Sequence, residues 1–150
     1  MMDADVTDPC WVIARLARVL ENSLTDLDLS LPQYRVLTIL SQGSEGAAAL
    51  AAKLAVKPAS VTSVVDGLVA RGLVERQADS EDRRKVSHVV SASGSSLLDR
   101  AREVTTGKLH EVSGHLDSAD ESMAWAAIDL WQQALRSYRT ARLAERALTR

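Results

Sequence analysis

The sequence predicts a mainly helical fold, with about six helices and a wing of two or three short β-strands. Apolar residues recur at the spacing of amphipathic helices over most of the 150 residues. Near the middle, two short helical segments meet at the turn before Pro58, and two β-type segments then flank a charged loop. Together these features are typical of a winged helix–turn–helix with long helices on both sides.

The composition indicates one globular domain, because 46% hydrophobic and 25% charged residues are ordinary values. Phe is absent, so we expect a mainly aliphatic core, helped by Trp11, Trp125 and Trp131. No apolar run reaches the roughly 18 residues of a membrane span, and the acidic N-terminus lacks the features of a signal peptide. One cysteine excludes an internal disulfide. We therefore expect a cytoplasmic protein without a membrane partner.

Local signals mark the first two helices. Asp8-Pro9 supplies an N-cap and a first-turn proline for a helix that ends at about Leu24 or Asp26. The segment from Ser30 to Gln33 forms a capping box for a second helix, which ends near Gly43. We expect at most a very short strand between Gln42 and Gly46.

The centre of the chain predicts two further helices joined by a tight turn. The first covers Ala47 to Leu54, and the second runs from Pro58 to Ala70 or Arg71, with Gly72 as its C-cap. A glycine inside a helix costs about 1 kcal/mol relative to alanine. We therefore expect close packing at Gly67.

The wing and the last two helices follow. Leu73 to Gln77 and Val86 to Val90 are β-type segments. Ser91 can cap a long helix from about Ala92 to Leu116. The segment from Ser118 to Glu121 predicts another capping box, at the start of the final helix.

The net charge of −2 argues weakly against a nucleic-acid partner, but the charges are unevenly distributed. Residues 1–30 carry six acidic and two basic residues, whereas residues 53–90 carry seven basic and five acidic residues. Basic side chains thus gather in the predicted helix–turn–helix and wing. Solvated surface charge is the alternative explanation.

The two central helices each divide into an apolar and a polar face. The inward positions are Leu50, Ala51, Leu54, Val61, Val64, Val65 and Leu68. The other face of the second helix carries Ala59, Ser60, Thr62, Ser63 and Asp66. Hydroxyl side chains near a helix N-terminus can reach bases or phosphates, although an ordinary helical hairpin would show the same pattern.

The charged tip of the hairpin favours DNA binding over that alternative. It reads Glu81-Asp82-Arg83-Arg84-Lys85. An arginine held on a rigid wing can enter the minor groove, and Asp82 can pair with Arg84 and fix its direction. For an isolated hairpin we would prefer a role in solubility, but this one directly follows a helix–turn–helix.

The chain resembles the MarR family of winged-helix transcriptional regulators over about residues 10–145. The resemblance is strongest in the run PASVTSVVDGLVARGLVERQADSEDRRKVSHVVSASG. The segment RGLVER, from Arg71 to Arg76, is similar to that family's wing signature, as are the Asp82-Arg83-Arg84 tip and the helix start at Ser91. Two positions depart from the family pattern, because Lys57 stands where a capping Ser is usual and Ser91 where a Thr is expected.

The resemblance implies a homodimer that binds a palindromic operator in double-stranded DNA. The recognition helix, Pro58 to Arg71, would enter the major groove and the wing arginines the minor groove. By position, Thr62 and Ser63 fall on DNA-contacting sites, and Asp82 and Arg84 match the family's wing pair. We predict DNA contacts from Lys57, Pro58, Ala59, Ser60, Thr62, Ser63, Arg76, Asp82, Arg83, Arg84 and Lys85.

We expect a single domain over residues 1–150. Its winged-helix region would cover about 30–91, and its dimerisation helices about 8–28 and 92–148. The terminal helices are more apolar than one small core requires. Two winged helices one DNA turn apart, roughly 34 Å, would also multiply the phosphate contacts of a single one.

The resemblance further implies a pocket for a small-molecule effector. The aromatic residues Trp11, Tyr34, Trp125 and Trp131 could line it, although aromatic residues at helical spacing more often belong to the core. The thiol of Cys10 lies at a helix N-terminus, where the dipole favours thiolate. Nearby acidic residues oppose its ionisation and no resolving cysteine is present, so an incidental thiol is favoured over redox sensing.

We expect neither a metal nor a cofactor. His110 and His115 are five residues apart, whereas a zinc site on a helix prefers a spacing of four. His88, on a wing strand, is predicted to lie at the surface or near a phosphate.

The predicted function is therefore sequence-specific DNA binding by a ligand-responsive repressor, not enzyme activity. Two alternatives stay open. One is a regulator of the same family that senses oxidants through Cys10. The other is a helical protein-interaction module that does not bind DNA.

Overall fold

The computed structural model describes residues 8–78 and 86–148. In these ranges it has six helices and three strands, and it confirms the mainly helical winged fold. In chain order they are α1 (Pro9–Thr25), α2 (Leu31–Leu40), β1 (Glu45–Gly46), α3 (Ala47–Leu54), α4 (Pro58–Ala70), β2 (Val74–Ala78), β3 (Val86–Val90), α5 (Ala92–Ser113) and α6 (Ser118–Leu148). The chain divides into two compact units, Met1–Leu109 and His110–Arg150.

The predicted starts of α1, α2 and α5 are confirmed by hydrogen bonds. A carboxylate oxygen of Asp8 accepts the Cys10 backbone N–H at 2.9 Å, and Pro9 occupies the first turn. Ser30 and Gln33 form the reciprocal pair of a capping box. The hydroxyl of Ser91 accepts the Gly94 N–H at 3.0 Å. Side-chain acceptors thus satisfy N–H groups that have no partner inside the helix.

The predicted boundary between α5 and α6 is wrong in two respects. The helix α5 ends at Ser113 rather than near Leu116. At the start of α6, Asp117 rather than Ser118 is the capping side chain, since it accepts the N–H groups of Ala119 and Asp120. Glu121 does not complete a capping box, because its carboxylate accepts the Ser113 hydroxyl instead, at 2.7 Å.

The core of the first unit is aliphatic, as predicted. It lies between the inner faces of α2, α3 and α4, the end of α1, the start of the wing and the first half of α5. Its largest fully buried side chains are Leu24, Leu37, Leu50, Leu68 and Leu98. The expected help from the tryptophans is wrong for two of them, since Trp11 is 51% exposed and Trp131 64% exposed. Tyr34 packs against the edge of the core.

Two glycines differ from expectation. A Cβ atom at Gly67 would lie 3.9 Å from the Gln33 side chain, which is ordinary contact, so the close packing expected there is wrong. The close approach is instead at Gly94, where a Cβ atom would lie 2.0 Å from the Leu73 carbonyl oxygen. The start of α5 therefore packs directly on the backbone that leads into β2.

The turn between α3 and α4 sets the angle of the helix–turn–helix. Ala55 adopts left-handed backbone angles (φ 56°, ψ 41°) and ends α3. Arg35 of α2 donates to the carbonyl oxygen of Leu54 at 3.0 Å, which satisfies an acceptor at this helix end. The chain bends by 113° between the two helices. No single helix in the described ranges is long and apolar enough to span a membrane, and only this bent pair, taken together, reaches that length and hydropathy.

The wing is a three-stranded antiparallel sheet in the order β1-β3-β2. The very short strand expected after Gln42 is present as β1. His88 lies at the centre of the sheet, opposite Glu45 on one side and Arg76 on the other. This register places one charged residue from each of the two outer strands beside the histidine.

The second unit contains the end of α5 and the whole of α6. The ring of His110 lies 4.3 Å from that of Trp125, and the Trp125 indole N–H donates to the Ser113 hydroxyl at 3.2 Å. These contacts join the two helices at their turn. The described residues contain no group of three or more metal-ligating side chains.

Candidate nucleic-acid interface

The predicted recognition surface is open along one side of α4. Val61, Val65 and Leu68 are buried in the core. The other side is exposed and carries Lys57, Pro58, Ala59, Ser60, Thr62, Ser63 and Asp66. A convex helix with small polar side chains can approach the floor of a major groove closely.

The hydroxyl groups of Thr62 and Ser63 are in different states. Thr62 donates to the carbonyl oxygen of Pro58 at 3.1 Å, so its oxygen keeps lone pairs for an external donor. The Ser63 hydroxyl has no hydrogen bond within the described part of the chain. It can therefore donate to, or accept from, a base or a phosphate.

Ion pairs neutralise most of the basic charge in the described helix–turn–helix. Lys53 pairs with Glu45, Arg71 with Asp28 and Arg76 with Asp66. Among the basic residues described between positions 50 and 78, only Lys57 has no ion pair. Within the described residues 50–78, the basic charge is thus largely balanced by acidic partners.

Lys57 occupies an unusual place for a lysine. It is the N-cap of α4, and its side chain makes no capping hydrogen bond. The positive end of the helix dipole disfavours a cation there by a few tenths of a kcal/mol. A phosphate at the same end would be attracted both by the helix and by the ammonium group.

The predicted DNA contact Arg76 lies on β2, with its side chain turned toward the recognition helix. Its guanidinium group donates to the Asp66 carboxylate of α4, and both side chains are about half exposed. The pair ties the wing to α4. It borders a cleft of about 350 Å³ between α4 and the sheet, which Thr62, Val86 and His88 also line.

His88 is buried, so the prediction of a surface position is wrong. Only 6% of the residue is exposed, and it lies on the central strand, between β1 and β2. Its Nδ1 lies 3.2 Å from the Glu45 carbonyl oxygen, which fits a neutral ring that donates from Nδ1. Burial, and then the neighbouring Arg76 charge, lower the pKa of His88 below its ordinary value of 6.5, whereas Asp66 acts in the opposite direction.

The predicted wing-tip contacts Asp82, Arg83, Arg84 and Lys85 lie outside the described residues. The strands that lead to and from this tip are in place, and they pair from Val74 and Val90 to Ala78 and Val86. The tip residues therefore stay predictions that rest on the sequence and on the family resemblance.

The predicted effector residues lie in both units. Trp11 and Tyr34 belong to the first, and Trp125 and Trp131 belong to the second. None of these four lines the cleft between α4 and the sheet. Cys10 is exposed in the first turn of α1. Roles in effector or oxidant sensing stay predictions for these residues.

Three contacts of this region were not predicted from the sequence. They are the Arg35 bond to Leu54, the Arg71 link to Asp28 and the Asp66–Arg76 pair. The partners are 19, 43 and 10 residues apart, respectively. The sequence shows opposite charges for Arg71 with Asp28 and for Arg76 with Asp66. However, local sequence patterns contain no signal for pairing between residues so far apart in the chain.

Sequence comparison identifies the relatives of this chain. The sequence pattern of the MarR family matches residues 29–86. An uncharacterised HTH-type transcriptional regulator of Mycobacterium bovis is 32% identical over 134 residues, which cover 87% of this chain and 94% of that protein. Another such regulator, from Mycobacterium leprae, is 34% identical over the same share of both chains.

Solved structures share the fold. A cysteine-to-serine mutant of MarR from E. coli matches with a TM-score of 0.74 at 19% identity, over 85% of this chain and 98% of that one. The same mutant complexed with operator DNA matches with a TM-score of 0.68 at 23% identity, over 84% of this chain and 89% of that one. CouR from Rhodococcus jostii bound to p-coumaroyl-CoA matches with a TM-score of 0.71 at 21% identity, over 91% of this chain and 96% of that one. The sequence relatives, together with this shared fold, show that the chain belongs to the MarR family of helix–turn–helix transcriptional regulators.

Proposed function

We propose that the chain is a ligand-responsive repressor that binds a palindromic operator as a homodimer. The recognition helix α4 enters the major groove, and Arg83 and Arg84 of each wing enter the flanking minor groove. The observation that carries this proposal is the exposed polar face of α4. Its N-terminus has no side-chain cap and has Lys57 beside it.

The contacts of α4 would divide into two kinds. Lys57 and the first turn of the helix suit phosphates, because both favour negative charge. Thr62 and Ser63 would contact base edges, because their exposed hydroxyl groups can both donate and accept. Arg76 would contribute through its pair with Asp66, which holds the wing against the recognition helix.

Exposed apolar side chains support the homodimer. In the single chain, α6 exposes more than half of Met123, Leu130, Trp131, Leu135 and Tyr138, and α1 exposes Trp11, Val12 and Ile13 to a similar degree. Large apolar patches of this kind mark interaction surfaces. A partner copy would cover both helices, consistent with the proposed dimerisation segments at about 8–28 and 92–148 of one MarR-like domain.

A ligand would act by favouring one dimer geometry. CouR, which shares this fold, was solved with bound p-coumaroyl-CoA, and we propose that this chain also binds a small molecule. Ligand binding shifts an equilibrium only if it prefers one of the two states. We infer that the preferred state has a wing spacing that does not fit the operator. Trp11, Tyr34, Trp125 and Trp131 are the proposed contacts.

Selection from a pool of random-sequence duplexes tests the proposal. We expect the wild-type protein to enrich an inverted repeat whose half-sites lie about one helical turn apart, and two chains to bind each duplex in a gel-shift titration. Arg84→Ala should weaken binding and flatten its salt dependence, because each phosphate contact contributes about 0.9 to the slope of log K against log salt. Enrichment of no sequence would contradict DNA recognition.

A further inference from the structure

The C-terminal end of α4 is attached to a distant turn by one side chain. Arg71, the C-cap of α4, donates from Nη1 to the carbonyl oxygen of Asp28 at 2.6 Å. Its Nη2 lies 3.6 Å from the Asp28 carboxylate, and Nη1 also reaches the Gln33 amide oxygen at 3.5 Å. One guanidinium group thus binds the turn between α1 and α2 as well as the first turn of α2.

The geometry of that turn is itself well defined. Asp28 adopts a left-handed φ of 49°, which few residues other than glycine, asparagine and aspartate tolerate. The Gln33 oxygen that Arg71 reaches also accepts the Ser30 N–H of the capping box. Backbone hydrogen bonds from Leu27, Asp28 and Leu29 to the end of α1 also hold this turn. Arg71 therefore attaches the end of α4 to a hydrogen-bonded turn.

The residues after Arg71 are attached to another element. The carbonyl oxygen of Gly72 accepts hydroxyl groups from Ser91 at 2.7 Å and from Ser93 at 2.9 Å. The Leu73 carbonyl accepts the Ser91 N–H at 3.0 Å. The end of the recognition helix is thus held from one side by the α1–α2 turn and from the other by the start of α5.

Arg71 is poorly placed to bind DNA itself. The 13 residues of α4 span roughly 20 Å at 1.5 Å per residue, so Arg71 lies far from the N-terminal end that carries Lys57. Its side chain is 31% exposed, and its Nη1 already donates to the α1–α2 turn while its Nη2 lies beside the Asp28 carboxylate. Its positive charge serves an internal contact.

We propose that Arg71 is a positioning residue for operator recognition. By fixing the end of α4 to the α1–α2 turn, it sets the angle at which the recognition helix meets the major groove. It thereby increases the preference for operator over other DNA without touching either. This role rests on the proposed function, because it presupposes recognition by α4.

The test compares binding to two duplexes of equal length, using full-length protein at several salt concentrations. One duplex is the sequence that the wild-type protein selects from a random pool, and the other is a random sequence. The variants are Arg71→Gln, Arg71→Lys and the charge-matched control Arg18→Gln, whose ion pair with Glu21 lies within α1. Circular dichroism verifies folding, and Arg71→Lys provides the same comparison should Arg71→Gln fail to fold.

We expect Arg71→Gln to reduce the preference for the selected duplex about tenfold, a typical effect of contacts that couple distant elements. The salt slope should not change. Arg71→Lys should recover part of the preference, since an ammonium group can still donate to the Asp28 carbonyl, and Arg18→Gln should retain all of it. An unchanged preference in both Arg71 variants would overturn the proposal.

Two other results would overturn it as well. A salt slope reduced by about 0.9 would mean that Arg71 binds a phosphate directly. Equal weakening of both duplexes would indicate a general folding defect. If the wild-type protein selects no sequence, the proposed function fails, and the role of Arg71 fails with it. If the wild-type protein selects a sequence and the Arg71 variants prefer it equally, only the role of Arg71 fails.

Discussion

Gly94 lies against the carbonyl oxygen of Leu73 with no room for a side chain. A Cβ atom there would come within 2.0 Å of that oxygen, and the oxygen is held in place by the Ser91 N–H. We expect Gly94→Ala to lower the free energy of unfolding by about 2 kcal/mol or more, because backbone must move. Urea unfolding at a fixed protein concentration measures the loss.

Gly67→Ala is the matched control for that substitution. It also adds a methyl group inside a helix, but its nearest neighbour is the Gln33 amide at 3.9 Å. It should raise the free energy of unfolding by about 1 kcal/mol through helix propensity alone. Equal effects of the two substitutions would contradict the close approach at Gly94.

Stability should depend on pH through His88. Burial lowers the pKa of the folded ring below 6.5, so the unfolded chain takes up the proton first as the pH falls. The contribution of His88 to stability is therefore complete above about pH 6.5 and is lost as the pH falls through the lower pKa of the folded state. His88→Asn, which can keep a donor to Glu45, should remove this dependence.

Unfolding curves between pH 5 and 8 provide the measurement for His88. His115→Asn changes an exposed histidine in the turn after α5 and is the control. If the free energy of unfolding of the wild-type protein stays constant as the pH is lowered from about 6.5, then His88 is not held neutral by its surroundings.

Lys57 and Lys53 should differ in their effect on DNA binding. Lys57 has no ion pair in the described structure, whereas Lys53 is paired with Glu45. Lys57→Gln should reduce the salt slope of operator binding by about 0.9 for each phosphate that the ammonium group neutralises in the wild-type complex. Lys53→Gln removes the same charge and should leave the slope unchanged. The titration uses the selected duplex, and equal slopes for both variants would refute a phosphate contact at Lys57.

The exposed face of α6 should be required for dimerisation. Trp131→Glu replaces a large apolar side chain, which is exposed in the single chain, with a charged one. It should raise the dimer Kd by about 30-fold or more. Gln132→Glu adds the same charge at the neighbouring exposed position and is the control. Sedimentation equilibrium at micromolar concentration measures both, and a monomeric wild-type protein would rule out the dimer.

Ser63, which the sequence already predicts as a DNA contact, should affect which base the protein prefers. With no hydrogen bond of its own in the described structure, its hydroxyl is available to a base. Ser63→Ala should change which base is preferred at one position of each half-site, with affinity reduced about 5-fold, near the low end for base contacts. Selection from a random pool with the variant shows the change, and an identical selected sequence would contradict it.

The sequence by itself determined the order of the elements, most of their boundaries and the family. Asp8-Pro9, the Ser30–Gln33 box and Pro58 act on backbone groups within four residues, so their effect can be read locally. The inward faces of α3 and α4 follow from helical spacing in the same way.

Only the tertiary structure decided which charges are free and which glycine is indispensable. Arg71 contacts Asp28, 43 residues away in the chain, and Gly94 packs on Leu73 across the wing segment. His88 is buried on the central strand of the sheet, between β1 and β2. The same residue types occur elsewhere in the chain as ordinary surface groups. Their roles depend on which distant segments pack beside them, and chain geometry rather than local preference determines that packing.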